Sequence, residues 1–358
     1  MEEVKVKKPS LIDRFRDPDF KISRKGKWYS IAPLCIIIAG LIVFLTINFN
    51  LGLDFTGGRI LTVQNVNYDT DRAVIREIFR DEGWTRANQI SMTRIEGYTT
   101  SISIEFQNRG NDARMDEVAA RIQTRIIEEL SLQQGDVTPA ANISARASGE
   151  RVMNTFIAVI VALVAILIYM LFRFKFTSGV SAVIALMHDV LMMLALTAIF
   201  RVPVNAAFIA AIITVIAYSL NNTLILFDRI RGIEKNNEGR QTTEEMVDRG
   251  VKETFTRTMN TTITTIVPIL TLIIVASQFI FGVPLIREFA LPILFGLIAG
   301  TFSTIFISSS LYVRFEEAKN AAARRKLKAT SPATRAKTKD EPIASDIEII
   351  TPKRKLNQ

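Results

Sequence analysis

Four polar side chains sit inside long apolar stretches and set the chemistry available to this chain: His188, Asp189, Asn222 and Arg257. A charged residue at the centre of a membrane-spanning helix costs roughly 2.5–3.5 kcal/mol on insertion scales, so it pairs with another group or handles an ion. Asp accepts and releases a proton. Asn donates and accepts hydrogen bonds, or offers one oxygen to Na⁺, without titrating. Arg holds a permanent charge that a carboxylate can face. These types support ion or proton handling rather than bond making. No serine or cysteine nucleophile with a base is apparent, and no Gly-rich phosphate loop or Walker A sequence occurs. One His and one Cys in 358 residues exclude a multi-histidine metal site, a cysteine metal site and a disulfide framework. The sequence points away from an enzyme and calls for neither cofactor nor metal.

The elements that must position these residues are apolar runs of about 20 residues, the length that crosses a hydrocarbon core of roughly 30 Å. The chain is 49% hydrophobic with a mean hydropathy of +0.24, and the runs predict six spanning helices at 28–49, 152–172, 177–200, 203–227, 251–277 and 289–312. The first run is too long for a signal-peptide core and is followed by no small-x-small cleavage site, so it reads as an uncleaved anchor. Cys35, within it, is expected to serve packing. The net charge of +9 needs no nucleic acid: Lys and Arg cluster ahead of the first span, between the second and third, and between the fourth and fifth, whereas the short connections between the third and fourth and between the fifth and sixth hold only Arg201 and Arg287. By the positive-inside rule both termini are cytoplasmic. The organisation expected is a basic cytoplasmic start (1–27), a first span (28–50), an external segment (51–151) and a five-helix membrane unit (152–312). That unit carries a cytoplasmic loop at 228–250, and a basic tail at 313–358, without apolar period, is expected to be disordered and to serve as a solvated, orientation-setting end, with attraction to anionic lipid headgroups the next reading and ribosomal RNA the last.

Depth follows from the helical rise. At 1.5 Å per residue, Asn222 lies roughly 9 Å inward of Asp228 and Arg257 roughly 9 Å inward of Val251, so the two are expected to meet at one level. Asp189 lies roughly 18 Å into its span, near the midplane, where it serves either a relay or a structural hydrogen bond. His188 is adjacent in sequence, but consecutive helical residues diverge by about 100°, so a direct pair is not assured. Asp228 and Arg229 mark the cytoplasmic mouth as interfacial anchors, with an i,i+3 pair expected from Asp228 to Arg231. Gly296, Ala299, Gly300, Ser303 and the serines at 308–310 are read as close helix packing.

The external segment changes period in a definite order. Ile60, Thr62, Gln64 and Val66 alternate with Leu61 and Val63; Ala73, Val74, Ile78 and Phe79 follow helical spacing, as do Val118, Ile122, Ile126 and Leu130. Candidate strands at 89–94, 99–107 and 137–145 complete strand-helix-strand-strand-helix-strand, the order of a ferredoxin-like α+β sandwich.

Where the first span meets this segment stands Gly52-Leu53-Asp54-Phe55-Thr56-Gly57-Gly58. In that position the motif resembles the signature of the SecD/SecF family. Further resemblances follow in order: Ala185-Leu186-Met187-His188-Asp189-Val190; Ala217 to Thr223 with Phe227-Asp228-Arg229-Ile230-Arg231; Thr256-Arg257-Thr258 with its threonine-rich sequel; and Gly296 to Ser303. The resemblance implies an α-helical polytopic fold of six helices of resistance-nodulation-division (RND) type and a SecF-type role in the bacterial plasma membrane. It implies export of preproteins driven by the ion gradient together with a SecD-like partner and the SecYEG channel, and indirectly with SecA, YidC and YajC. One departure stands out: the family pattern usually places Asp where this chain has Asn222, which puts proton coupling through this position in doubt. Half of an RND-type small-molecule or lipid exporter, and a non-transporting Sec scaffold, are the rival readings.

Overall fold

The structure, a computed structural model, describes residues 26–84, 90–96, 100–108, 112–143, 145–237, 240–278 and 284–339. Two helices open it, α1 (Gly26–Tyr29) and α2 (Ile31–Ile47). The first apolar run is therefore broken at Ser30. Pro33 is the cause, since it has no N–H to give to the carbonyl four residues back and is tolerated only in a first turn. At 17 residues α2 falls short of the helices long enough to cross a bilayer, of which the described residues hold five. Cys35 is exposed on α2, so it serves no packing within the chain, contrary to expectation. The helix is apolar on all sides and docks through Gly40, where a Cβ would stand 2.4 Å from Ala195 Cα.

The five longer candidates lie in α6 (Ala145–Arg173), α7 (Phe176–Ile199), α8 (Ala206–Lys235), α9 (Thr243–Gln278) and a rod formed by α10 (Pro284–Phe302), a π-helical turn (Ser303–Ser308) and the first residues, to Val313, of α11 (Ser309–Lys339). Half of the apolar window of α7 is buried within the chain, against 6% for α6 and 11% for α9, so α7, α8 and the rod form the centre and the other two flank it. Small residues make the centre close: a Cβ on Gly296 would overlap Val215, and one on Gly300 would touch Ser219. α9 starts earlier than the apolar run because Thr242 and Glu245 cap it reciprocally, Thr242 N–H to Glu245 Oε2 at 2.9 Å and Glu245 N–H to Thr242 Oγ1 at 3.3 Å. The π turn falls where hydroxyls bond back to the preceding turn, among them Ser303 Oγ to Gly300 O at 3.1 Å and Ser309 Oγ to Ile305 O at 2.5 Å. Arg314–Gln358 forms a unit of its own. Its described part continues α11 to Lys339, where Ala, Lys and Arg are strong helix formers that need no apolar period; residues 340–358 lie outside the described ones.

Between α2 and α6 comes a small sheet domain: α3 (Leu53–Thr56), β1 (Gly58–Gln64), α4 (Tyr68–Asp81), β2 (Ile90–Glu96), β3 (Thr100–Gln107), α5 (Asp112–Glu129) and β4 (Ala141–Ile143). The strands run in the order β2-β3-β1-β4, each pair antiparallel. Leu61 faces Ile104 and Val63 faces Ile102 across β1 and β3. These side chains, with Phe106, pack under Ile75, Ile78 and Phe79 of α4 and Met115, Ile122 and Ile126 of α5. Phe79, Trp84 and Phe106 meet edge to face with centroids 5.1–5.8 Å apart. β4 is shorter than the strand expected over 137–145, with Val137 joined to Val63 only by an isolated bridge.

Candidate functional site

The polar residues inside the bundle divide into a buried core and an exposed mouth. In the core, Asp189 on α7 is 1% exposed and accepts from Ser219 Oγ of α8 at 2.5 Å. His188 Nδ1 lies 3.0 Å from the other carboxylate oxygen, so neighbours on one helix do meet, through side-chain reach rather than backbone direction. Gly300 leaves room beside them: a Cβ there would stand 3.1 Å from Ser219 Oγ and 3.4 Å from Asp189 Oδ2. Asn222, one turn along α8, is also 1% exposed, and among the described residues neither amide atom has a hydrogen-bond partner. Hydroxyl pairs tie α8 to the rod, Thr223 to Thr304 at 3.1 Å, and bring in α9, Thr262 to Thr301 at 2.8 Å and Tyr218 to Thr262 at 3.4 Å.

Arg257 does not join this core. It is exposed on α9 and lines a cavity of about 440 Å³ with Arg173, Leu224, Asp228, Arg229 and Glu253. Among the described residues its guanidinium has no ion-pair or hydrogen-bond partner. The meeting of Asn222 and Arg257 expected from depth is thus not made: equal depth fixes the level, but their helices turn the two side chains to different faces. The local pair expected from Asp228 to Arg231 is replaced by cross-helix contacts. Asp228 on α8 faces Arg173 of α6 at 3.7 Å, and Arg229 on α8 binds Glu253 of α9, which also pairs within its own helix with Arg249 at 2.8 Å.

The glycine-rich motif builds the joint between sheet domain and bundle. Val204 N–H donates to Asn50 O at 2.8 Å, Gly52 N–H to Val204 O at 2.9 Å, and Ala206 N–H, at the start of α8, to Asp54 Oδ2 at 3.2 Å. Asp54 so places a carboxylate at the positive end of the α8 dipole. Phe55 packs against the α7–α8–α10 core, and Thr56 Oγ1 returns to Gly52 O at 3.3 Å. Gly57, at φ 68° and ψ 163°, occupies backbone space essentially reserved for glycine. A Cβ on Gly58 would stand 2.4 Å from the Phe106 carbonyl oxygen. A cavity of about 240 Å³ opens here, lined by Asp54, Glu105, Asn205 and Glu288 among others. Burial, and then the neighbouring Asp54 carboxylate, hold the Glu105 carboxyl above its usual range.

Sequence reasoning missed Ser219, Gly300, Glu105, Glu253 and Glu288. Ser219 had a signal, lying three and four residues before Asn222 and Thr223 on one helix face; Gly300 was visible only as a packing residue. Among the described residues no group of three His, Cys, Asp or Glu is placed to hold a metal ion.

Comparison with known proteins finds relatives over most of the chain. The model for the C-terminal region of protein export membrane proteins SecD/SecF matches residues 126–318, and that for the SecD/SecF GG motif matches 42–64. The SecF translocase subunit of Sebaldella termitidis is 30% identical over 82% of this chain and 91% of its own. That of Desulfurispirillum indicum is 34% identical over 80% and 88%. The Bacillus subtilis SecDF subunit is 27% identical over 84% of this chain but 38% of its own. The crystal structure of SecDF from Thermus thermophilus superposes with a TM-score of 0.66 at 28% identity, covering 86% of this chain. This chain spans 40% of that SecDF chain.

Proposed function

The chain belongs to the SecD/SecF family of protein export membrane proteins and is a Sec protein-export accessory subunit, and from that premise we propose that it acts as the SecF-type half of a SecDF pair, coupling preprotein export to an ion gradient across the bacterial plasma membrane. The observation that carries this reading is its fit onto two fifths of the solved SecDF chain, at 28% identity. The rest of such an assembly, a SecD-type half, is the natural neighbour for the exposed apolar faces of α2 and α6. Names of the relatives do not favour a small-molecule or lipid exporter.

In this reading α2 completes six spans of an RND-type bundle. The sheet domain stands outside as a ferredoxin-like sandwich, a reading supported by its strand order and by two helices on one face. The termini and the 228–250 loop are cytoplasmic on the strength of their basic residues. SecYEG is the channel served, with SecA, YidC and YajC acting through it. Arg257, exposed and unpaired among the described residues, faces a carboxylate of the SecD-type half, and Asn222 is a neutral position in the coupling region.

The test is export of a preprotein into inverted vesicles holding this chain, a SecD-type partner and SecYEG, under separately imposed H⁺ and Na⁺ gradients. Gradient-stimulated export is expected with the partner, lost in Arg257→Ala and only weakened in Asn222→Ala. Normal export by Arg257→Ala under both gradients, or full stimulation without the partner, would overturn the reading.

A further inference from the structure

The bundle core carries buried polar atoms with no hydrogen-bond partner among the described residues: both amide atoms of Asn222, Ser308 Oγ and His188 Nε2. Asn222 is 1% exposed and Ser308 0%. Each orphan of this kind costs about 1–3 kcal/mol, whereas an ordered water that satisfies it costs at most about 2 kcal/mol of immobilisation. The chemistry of the amide chooses the occupant. Its oxygen would accept a cation but its N–H groups would repel one; only a molecule that both donates and accepts serves the two together. Water does so and is the usual tenant of such sites.

Register arranges the orphans in line. Ser219 lies beside Gly300 and Thr223 bonds Thr304, so α8 and the rod run side by side with Asn222 about one turn, roughly 5 Å, beyond the Asp189–Ser219 bond. Ser308 lies further along in the same direction, in the π turn, toward the end where Asp228 and Arg257 open the mouth. π turns inside α-helices recur at functional positions because they displace side chains from the regular ladder. Among the described residues Asp189 is the most deeply buried carboxylate, 1% exposed against 7% for Asp248 and 8% for Glu316, which lie outside the apolar runs at 251–277 and 289–312. The groups facing it are His188 on α7, Ser219 on α8 and Gly300 on α10; α2, packed on α7, holds no charged residue.

We infer that a short file of buried water runs from the mouth past Ser308 and Asn222 to Asp189, and that Asp189 is the proton-accepting group of this subunit. The inference rests on the ion-gradient reading above and adds to the partner's carboxylate a proton-accepting group on this chain, one helix before the neutral Asn222. In the step itself an O–H bond forms at a carboxylate oxygen of Asp189 while an O–H bond of hydronium at the Asn222 end of the file breaks, leaving neutral water. Ser219 turns its hydrogen to match. With Nδ1 carrying its hydrogen toward Asp189, His188 Nε2 accepts from the last water. Asn222 is then a positioning residue: it orders the file without exchanging its own charge.

Infrared difference spectroscopy of the full chain in lipid nanodiscs tests this without any export assay. A protonated-carboxyl band that titrates with pH and shifts in D₂O is expected in the wild type and is lost in Asp189→Asn. Should Asp189→Asn fail to fold, Asp189→Glu must move the band. Asn222→Leu, which keeps the volume and expels the water, should retain the band but slow its deuterium exchange on the order of tenfold or more, the factor that about 1.4 kcal/mol of added barrier gives. Ser308→Ala, which adds no bulk, should slow it in the same direction. A band that does not titrate, one that survives unchanged in Asp189→Asn or Asp189→Glu, or exchange as fast in both Asn222→Leu and Ser308→Ala as in the wild type, overturns the inference. A titrating band in a chain that shows no gradient-driven export would instead sink the functional reading and leave the water file standing.

Discussion

Replacing Gly296 by alanine probes the packing that brings Ser219 to Asp189. The added Cβ would stand 2.3 and 2.5 Å from the γ carbons of Val215 and 2.9 Å from its Cβ, well inside the roughly 3.5–4.0 Å of an ordinary carbon contact. Val215 cannot simply swing away, because a β-branched side chain in a helix has one strongly preferred rotamer. Either α8 and α10 part by about 1 Å or a strained rotamer is accepted, and overpacking of this kind costs about 1–3 kcal/mol. Alanine regains about 1 kcal/mol over glycine as a helix former, so the expected net loss is about 1–2 kcal/mol. Val215→Ala alone should also destabilise, by about 1.5 kcal/mol for two buried methyl groups. Combined, each change relieves the other, and the double variant should be more stable than the sum predicts by about 1 kcal/mol or more, a coupling that distant sites would not give. Thermal unfolding of the four proteins in nanodiscs measures the cycle. Wild-type stability in Gly296→Ala, or strictly additive losses in the double variant, would refute the claim that this contact sets the helix separation.

Glu105 predicts a pH dependence. Its carboxyl is raised in the folded protein, so the folded form binds the proton more tightly than the unfolded one, and an unfavourable contribution present above the folded pKa is relieved as pH falls through it. Glu105→Gln should melt higher than wild type at neutral pH, with the gap closing on mild acidification; a gap independent of pH would count against the Asp54–Glu105 arrangement. Gly57→Ala should cost about 1–3 kcal/mol from backbone strain alone, read as lowered protease resistance of the sheet domain in membranes. Asp54→Asn should cost about 0.3–1 kcal/mol by removing a charge from the α8 N-terminus, a loss that shrinks in high salt if the dipole is its cause.

The sequence by itself determined the elements and the family. A 1.5 Å rise against a fixed hydrocarbon thickness makes apolar run length a direct measure of spanning helices, and periods of two and 3.6 in the 51–151 segment give its strands and helices in the order the structure has them. The same sequence located His188, Asp189, Asn222 and Arg257 in depth along their helices. Only the tertiary structure decided which of them meet. Azimuth around a helix advances by about 100° per residue, so which face points inward depends on how α7, α8 and the rod settle against one another, and glycines such as Gly296 and Gly300 set that by what they leave empty. Hence Asp189 found Ser219 thirty residues away, Arg257 turned outward, and Cys35 faced away from the core. The unpartnered amide of Asn222 is likewise a property of three packed helices. No single stretch of sequence encodes a missing hydrogen-bond partner, because absence is defined only once every neighbour is in place.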